Sequence, residues 1–140
     1  MNRTLGFDLG SKTLGVSVSD PLGMIAHALT TLRFDSDDYD SALAQAQALI
    51  REQHADKVVL GLPRHMNGDI GVRGEISIAF KEKLESSGVE VVLWDERLTT
   101  VAANRILLQG DVSRKKRKKV IDQMAAVQIL QSYLDYSNRG

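Results

Sequence analysis

The stretch Thr4-Leu5-Gly6-Phe7-Asp8-Leu9-Gly10-Ser11-Lys12-Thr13-Leu14-Gly15-Val16-Ser17-Val18-Ser19-Asp20 decides how the rest of the chain is read. It sets an aspartate inside an apolar, strand-like run. Strands are depleted in aspartate, and a carboxylate buried there is costly without a proton, a partner or a metal ion. Gly10 follows two residues later and lets the chain turn where a side chain would obstruct. Gly15 opens the returning strand, so that a phosphate could approach the backbone closely. The expected elements are strands over residues 3–9 and 14–20, joined by a turn at 10–13.

Outward from this hairpin, a short third strand is expected around 28–34. Ala42, Leu43, Ala46, Leu49 and Ile50 then recur at helical spacing to about Gln53, behind Asp38 or Asp40 as N-cap. Residues 57–61 form a short apolar run ended by Leu62-Pro63, which reads as a buried strand. After a loop, a helix is expected over 72–87, closing at Gly88, and then a strand over 89–94. A helix over 101–109 and a last one from about Lys119 to Tyr136 complete an α/β domain with a mixed sheet.

The chain has 140 residues and no cysteine. That length suits one domain, and the missing thiols exclude disulfides, cysteine nucleophiles and cysteine-ligated zinc. No apolar run is long enough to cross a bilayer, and the N-terminus lacks the order of a signal peptide. The expectation is a soluble cytoplasmic protein with no membrane partner.

The formal net charge of zero conceals a segregation. Arg114, Lys115, Lys116, Arg117, Lys118 and Lys119 are consecutive, which leaves 12 basic residues against 18 acidic ones in the rest of the chain. A basic knot on an acidic body is a footprint for a polyanion, or else a solvated loop.

Besides Asp8, acids stand at Asp95-Glu96, just after a strand, and at Asp122, at the start of the last helix. Strand ends are the usual sites of open α/β sheets, so the three positions can converge on a hard cation, Mg²⁺ or Mn²⁺. Each also has a plainer reading: Asp122 as a favourable first-turn acid, and Asp95 or Glu96 as a partner of Arg97 or the start of a turn. Arg64, after the strand at 57–61, is expected near the same sheet end, where a guanidinium suits a phosphate. His27, His54 and His65 show no ligand spacing, and no Gly-x-Ser-x-Gly elbow supports serine hydrolysis.

Four ordered blocks, Phe7 to Val18, Val59 to Gly68, Trp94 to Thr100 and Lys119 to Ala126, resemble the YqgF family of small bacterial proteins over nearly the full length. These are described as Holliday junction resolvases or pre-16S ribosomal RNA nucleases. The resemblance implies one ribonuclease-H-like nuclease domain over residues 1–140, with a mixed five-stranded sheet flanked by helices. It implies Asp8, Glu96 and Asp122 as catalytic, metal-binding carboxylates for Mg²⁺ or Mn²⁺. A fourth acid of the larger resolvase pattern is replaced by Met124, Ala125 and Ala126. Contact with nucleic acid is expected from Arg64, Arg97 and the six residues 114–119.

The expected reaction is hydrolysis of a phosphodiester in structured RNA, most readily at the 5′ end of precursor 16S ribosomal RNA, or in branched DNA. A non-catalytic nucleic-acid-binding module is the alternative outside enzymes. Cleavage of a junction calls for two active sites and hence a homodimer, whereas a monomer favours RNA. An actin-like or hexokinase-like ATPase shares the Asp-x-Gly turn but needs a second domain.

Overall fold

A computed structural model describes residues 3–98 and 114–138, with the backbone alone for residues 98 and 114–122. The expected helix over 101–109 lies outside the described residues. The elements run β1 (Arg3–Leu9), β2 (Thr13–Ser19), β3 (Ala26–Arg33), α1 (Tyr39–Glu52), β4 (Ala55–Leu62), α2 (Val72–Glu85), β5 (Glu90–Asp95), a 3-10 turn (Glu96–Leu98) and α3 (Arg114–Ser137). The five strands form one mixed sheet in the order β3-β2-β1-β4-β5. The first three are antiparallel, and β4 and β5 run parallel to β1.

The two faces of the sheet follow from period-two alternation in the opening stretch. Leu5, Phe7 and Leu9 of β1 and Leu14, Val16 and Val18 of β2 join one core with Ala42, Ala46, Leu49 and Ile50 of α1 and Phe80 and Leu84 of α2. The alternate residues, Gly6, Asp8, Gly15, Ser17 and Ser19, belong to the face that α3 covers. That face is lined by small side chains, so α3 comes close. The Ser17 hydroxyl donates to the Ala126 carbonyl at 2.7 Å, and Val59, Ile129, Leu130 and Leu134 form a second apolar cluster there.

Local signals explain the ends of the helices. Asp38 caps α1, its carboxylate accepting from the Ser41 amide at 3.2 Å. After α2 the chain turns at Gly88, whose φ of +101° is left-handed and favours glycine.

One expectation is corrected. The last helix begins at Arg114, not near Lys119, so the basic run is helical and not a loop. Lysine and arginine are good helix formers, and here that preference outweighs their mutual repulsion and the unfavourable placing of cations at a helix N-terminus. Among the described residues, no helix is long and apolar enough to cross a membrane.

Candidate active site

Asp8 lies near the C-terminal end of β1, the central strand of the sheet. Its neighbour in the β1–β2 ladder is Gly15, so no side chain on β2 stands beside it. Gly10 closes the turn through its amide, which donates to the Thr13 carbonyl at 2.8 Å. A Cβ at Gly10 would meet that oxygen at 3.3 Å, so the turn is tight there, without a left-handed φ.

Glu96 arrives from two strands away. It opens the 3-10 turn after β5, and its side chain passes over Gly61 on the intervening strand β4 to hydrogen-bond Asp8. The missing side chain of Gly61 makes this crossing possible. A Cβ there would overlap Glu96 Oε1 and come within 2.6 Å of Ile129 Cδ1 on α3. Burial, and then the hydrogen bond to Asp8 and its charge, push the Glu96 carboxyl up from 4.5 to about 9. The shift favours the protonated form of Glu96, whose carboxyl can then donate to Asp8.

Asp95 takes the other role open to this motif. Arg97 donates to it from Nε at 3.0 and 3.1 Å and from Nη2 at 2.7 Å. The guanidinium holds the Asp95 carboxyl below its ordinary range, and Arg64 acts in the same direction more weakly. Of the plainer readings of the Asp-Glu-Arg motif, Asp95 takes the pairing with Arg97, and Glu96 starts the turn while also reaching Asp8. Arg64 is exposed at the same sheet end as Asp8, as expected. Arg97 is engaged by Asp95 in this arrangement.

Asp122 lies on α3, one helical turn before Ala126, and its side chain is outside the described residues, as are those of residues 114–119. The C-terminal turns of α3 are tied to the β2–β3 hairpin. Gln131 Nε2 donates to the Met24 carbonyl at 2.9 Å and Asn138 Nδ2 to that of Gly23 at 3.0 Å. With Ala126 over Ser17 and Gly6, the preceding turn is directed toward the Asp8 end of β1. Two residues along a strand rise about 6.6 Å and one helical turn about 5.4 Å, so the steps from Gly6 to Asp8 and from Ala126 to Asp122 are nearly matched.

Two residues of this region escape a reading of the sequence. Arg73, in the first turn of α2, donates to the Leu9 carbonyl at 3.1 Å and to the Tyr39 hydroxyl at 2.9 Å, and its charge favours the ionised form of Glu96. Ser17 anchors α3 to the sheet. Its signal was the run of small residues at alternate positions of β1 and β2, whereas a first-turn arginine carries none.

Gly61→Ala should leave the fold intact, because the atoms it meets are ends of side chains, but drive Glu96 off Asp8. A carboxyl NMR titration is expected to show Glu96 moving toward the ordinary glutamate range. An unmoved value would mean that the crossing over Gly61 does not hold the pair together.

Residues 2–136 match the family profile described as "RuvX: Holliday junction resolvase". The chain belongs to the RuvX family. A relative from Bacillus subtilis strain 168, named "Putative pre-16S rRNA nuclease", is 53% identical over 137 residues, covering 97% of this chain and 99% of its own. Among solved structures, a Fowlpox virus resolvase bound to Holliday junction DNA superposes with a TM-score of 0.62 at 15% identity, over 98% of this chain and 99% of that one. The T. thermophilus RuvC complex with a Holliday junction substrate gives 0.60 at 12% identity, over 99% and 97%. These distant likenesses show that the RuvX chain has the ribonuclease-H-like fold of the resolvases.

Proposed function

We propose that this RuvX chain is a metal-dependent nuclease that hydrolyses phosphodiester bonds, with precursor 16S ribosomal RNA as substrate. The observation that carries the reading is the carboxyl pair of Asp8 and Glu96, drawn from two strands with Gly61 cleared between them. Two acids in contact, both half-buried, are costly unless a proton or a cation stands between them. Their donor set is oxygen only and suits Mg²⁺ or Mn²⁺.

Asp8, Glu96 and Asp122 would hold such an ion. When bound, a divalent ion supplies a water of lowered pKa and stabilises charge on the leaving oxygen. The chain's own residues do the rest. Arg73, fixed by Leu9 and Tyr39, keeps a cation beside the pair. Arg64 stands at the same end to meet a phosphate, and the basic residues 114–119 would bind the nucleic-acid backbone without reading its sequence. The name of the B. subtilis relative favours precursor ribosomal RNA. The family description makes branched DNA the second reading. A cytoplasmic location fits either.

A cleavage assay on precursor 16S RNA and on a four-way DNA junction, with Mg²⁺ or Mn²⁺, tests the reading. The wild-type chain should cut the RNA, and Asp122→Asn should cut neither substrate. Preference for the junction would select the second reading. Binding without cleavage by the wild type, or full cleavage by Asp122→Asn, would reject the proposed site.

A further inference from the structure

We infer that a cavity beside the carboxyl pair is a nucleobase subsite, so that the substrate must present an unstacked nucleotide next to the scissile phosphate; this rests on the nuclease reading above. The cavity has a volume of about 450 Å³ and lies between the loop after β4 and the first turn of α2, lined by Pro63, Arg64, His65, Val72 and Arg73 among others. That volume falls within the range of sites for small organic ligands.

Its lining has two chemistries. Pro63 and Val72 give apolar walls, and the exposed apolar surface continues along the loop: Met66 is 94% exposed, Val72 73% and Ile70 39%. Three large apolar side chains left in water within one short segment, Val72 among the cavity's lining, mark a surface suited to an occupant. Arg64 and Arg73 line the same cavity and lie close enough to influence Asp95 and Glu96 respectively, and Arg73 is bonded to the carbonyl of Leu9, the residue next to Asp8.

A polyanion alone has no use for the apolar walls, and an apolar ligand has none for the arginines. A nucleotide satisfies both, its base against Val72 and Pro63 and its phosphate toward the arginines and the acids. The loop is also held in shape. The His65 amide donates to the Asp69 carbonyl at 2.9 Å, the Gly68 amide to that of His65 at 2.8 Å, and the Asp69 amide to Asn67 Oδ1 at 3.0 Å. The His65 ring packs on Gly71, where a Cβ would sit 3.2 Å from Cε1 and 3.3 Å from Cδ2. A base stacked inside a continuous duplex cannot enter such a recess, whereas a base in a single strand, or one turned out of a helix, can.

Binding measured in EDTA, where cleavage does not intervene, separates this inference from the nuclease reading. The probes are a short single-stranded RNA, a strand of equal length and charge with every base removed, and a continuous RNA duplex. The wild-type chain should bind the intact strand about tenfold more tightly than the abasic one, as expected for one stacked base. Val72→Glu, at an exposed position where folding is not at stake, should lose that discrimination and yet bind the duplex as the wild type does. Equal wild-type affinity for intact and abasic strands would overturn the inference. So would an equal loss on strand and duplex in Val72→Glu, which would be a charge effect only. Either result leaves the cleavage assay free to support the nuclease reading.

Discussion

Asp8→Asn is expected to abolish cleavage, by at least about 10³-fold, while making the ion-free protein less sensitive to alkaline pH. The second effect follows from linkage. Glu96 has its pKa raised from 4.5 to about 9 in the native state. Between those values the folded chain binds one more proton at this position than the unfolded chain. The associated stability is therefore fully present below pH 4.5 and is lost as pH rises toward 9. Every tenfold gain in proton affinity on folding corresponds to about 1.4 kcal/mol, so melting temperatures recorded in EDTA should fall across this window.

Replacing Asp8 by asparagine removes the like charge but not the burial, and burial is the largest cause of the raised pKa. The fall should become shallower without disappearing. Mg²⁺ or Mn²⁺ should stabilise the wild type most at the alkaline end, where a cation takes over the part of the proton, and should stabilise Asp8→Asn much less. Retained cleavage by the variant would remove Asp8 from the site. An unchanged pH slope would mean that Asp8 does not contribute to holding the proton on Glu96.

How far this site can be read in the sequence depends on the kind of signal each residue leaves. Asp8 is legible because an acid stands among the small residues of a strand's second face, and the alternation itself reveals both faces of β1 and β2. The Asp95-Glu96 pair is legible only as a pair. Which acid turns inward depends on the 3-10 turn that Glu96 opens and on Gly61 leaving a path across β4, and the second is written far from residue 96. Arg73 looks like any solvated charge at a helix start until its bonds to Leu9 and Tyr39 are seen. The early start of α3 is missed for a different reason: six consecutive cations carry no apolar period, so their helix propensity is the only local sign.

The close approach of α3 leads to the second large effect, at a glycine outside the carboxyl pair. Gly6→Ala is expected to destabilise the fold by about 3 kcal/mol and to lose cleavage even where the protein remains folded. A Cβ at Gly6 would overlap Ser17 Oγ and stand 2.7 Å from Leu130 Cβ and 2.8 Å from the Ala126 carbonyl oxygen. Two of these are atoms that only a shift of the helix can move. Retreat of α3 would stretch the bond from Ser17 to Ala126 and carry the turn bearing Asp122 away from Asp8. Gly10→Ala is the matched control, since its added methyl would meet only Thr13, at 3.3 and 3.4 Å, and should cost far less stability. Urea denaturation of both variants, with cleavage assayed at temperatures where each is folded, separates loss of structure from loss of alignment. If Gly6→Ala were as stable and active as Gly10→Ala, α3 would have room to spare over the sheet, and the close approach would not be what aligns its acid with Asp8.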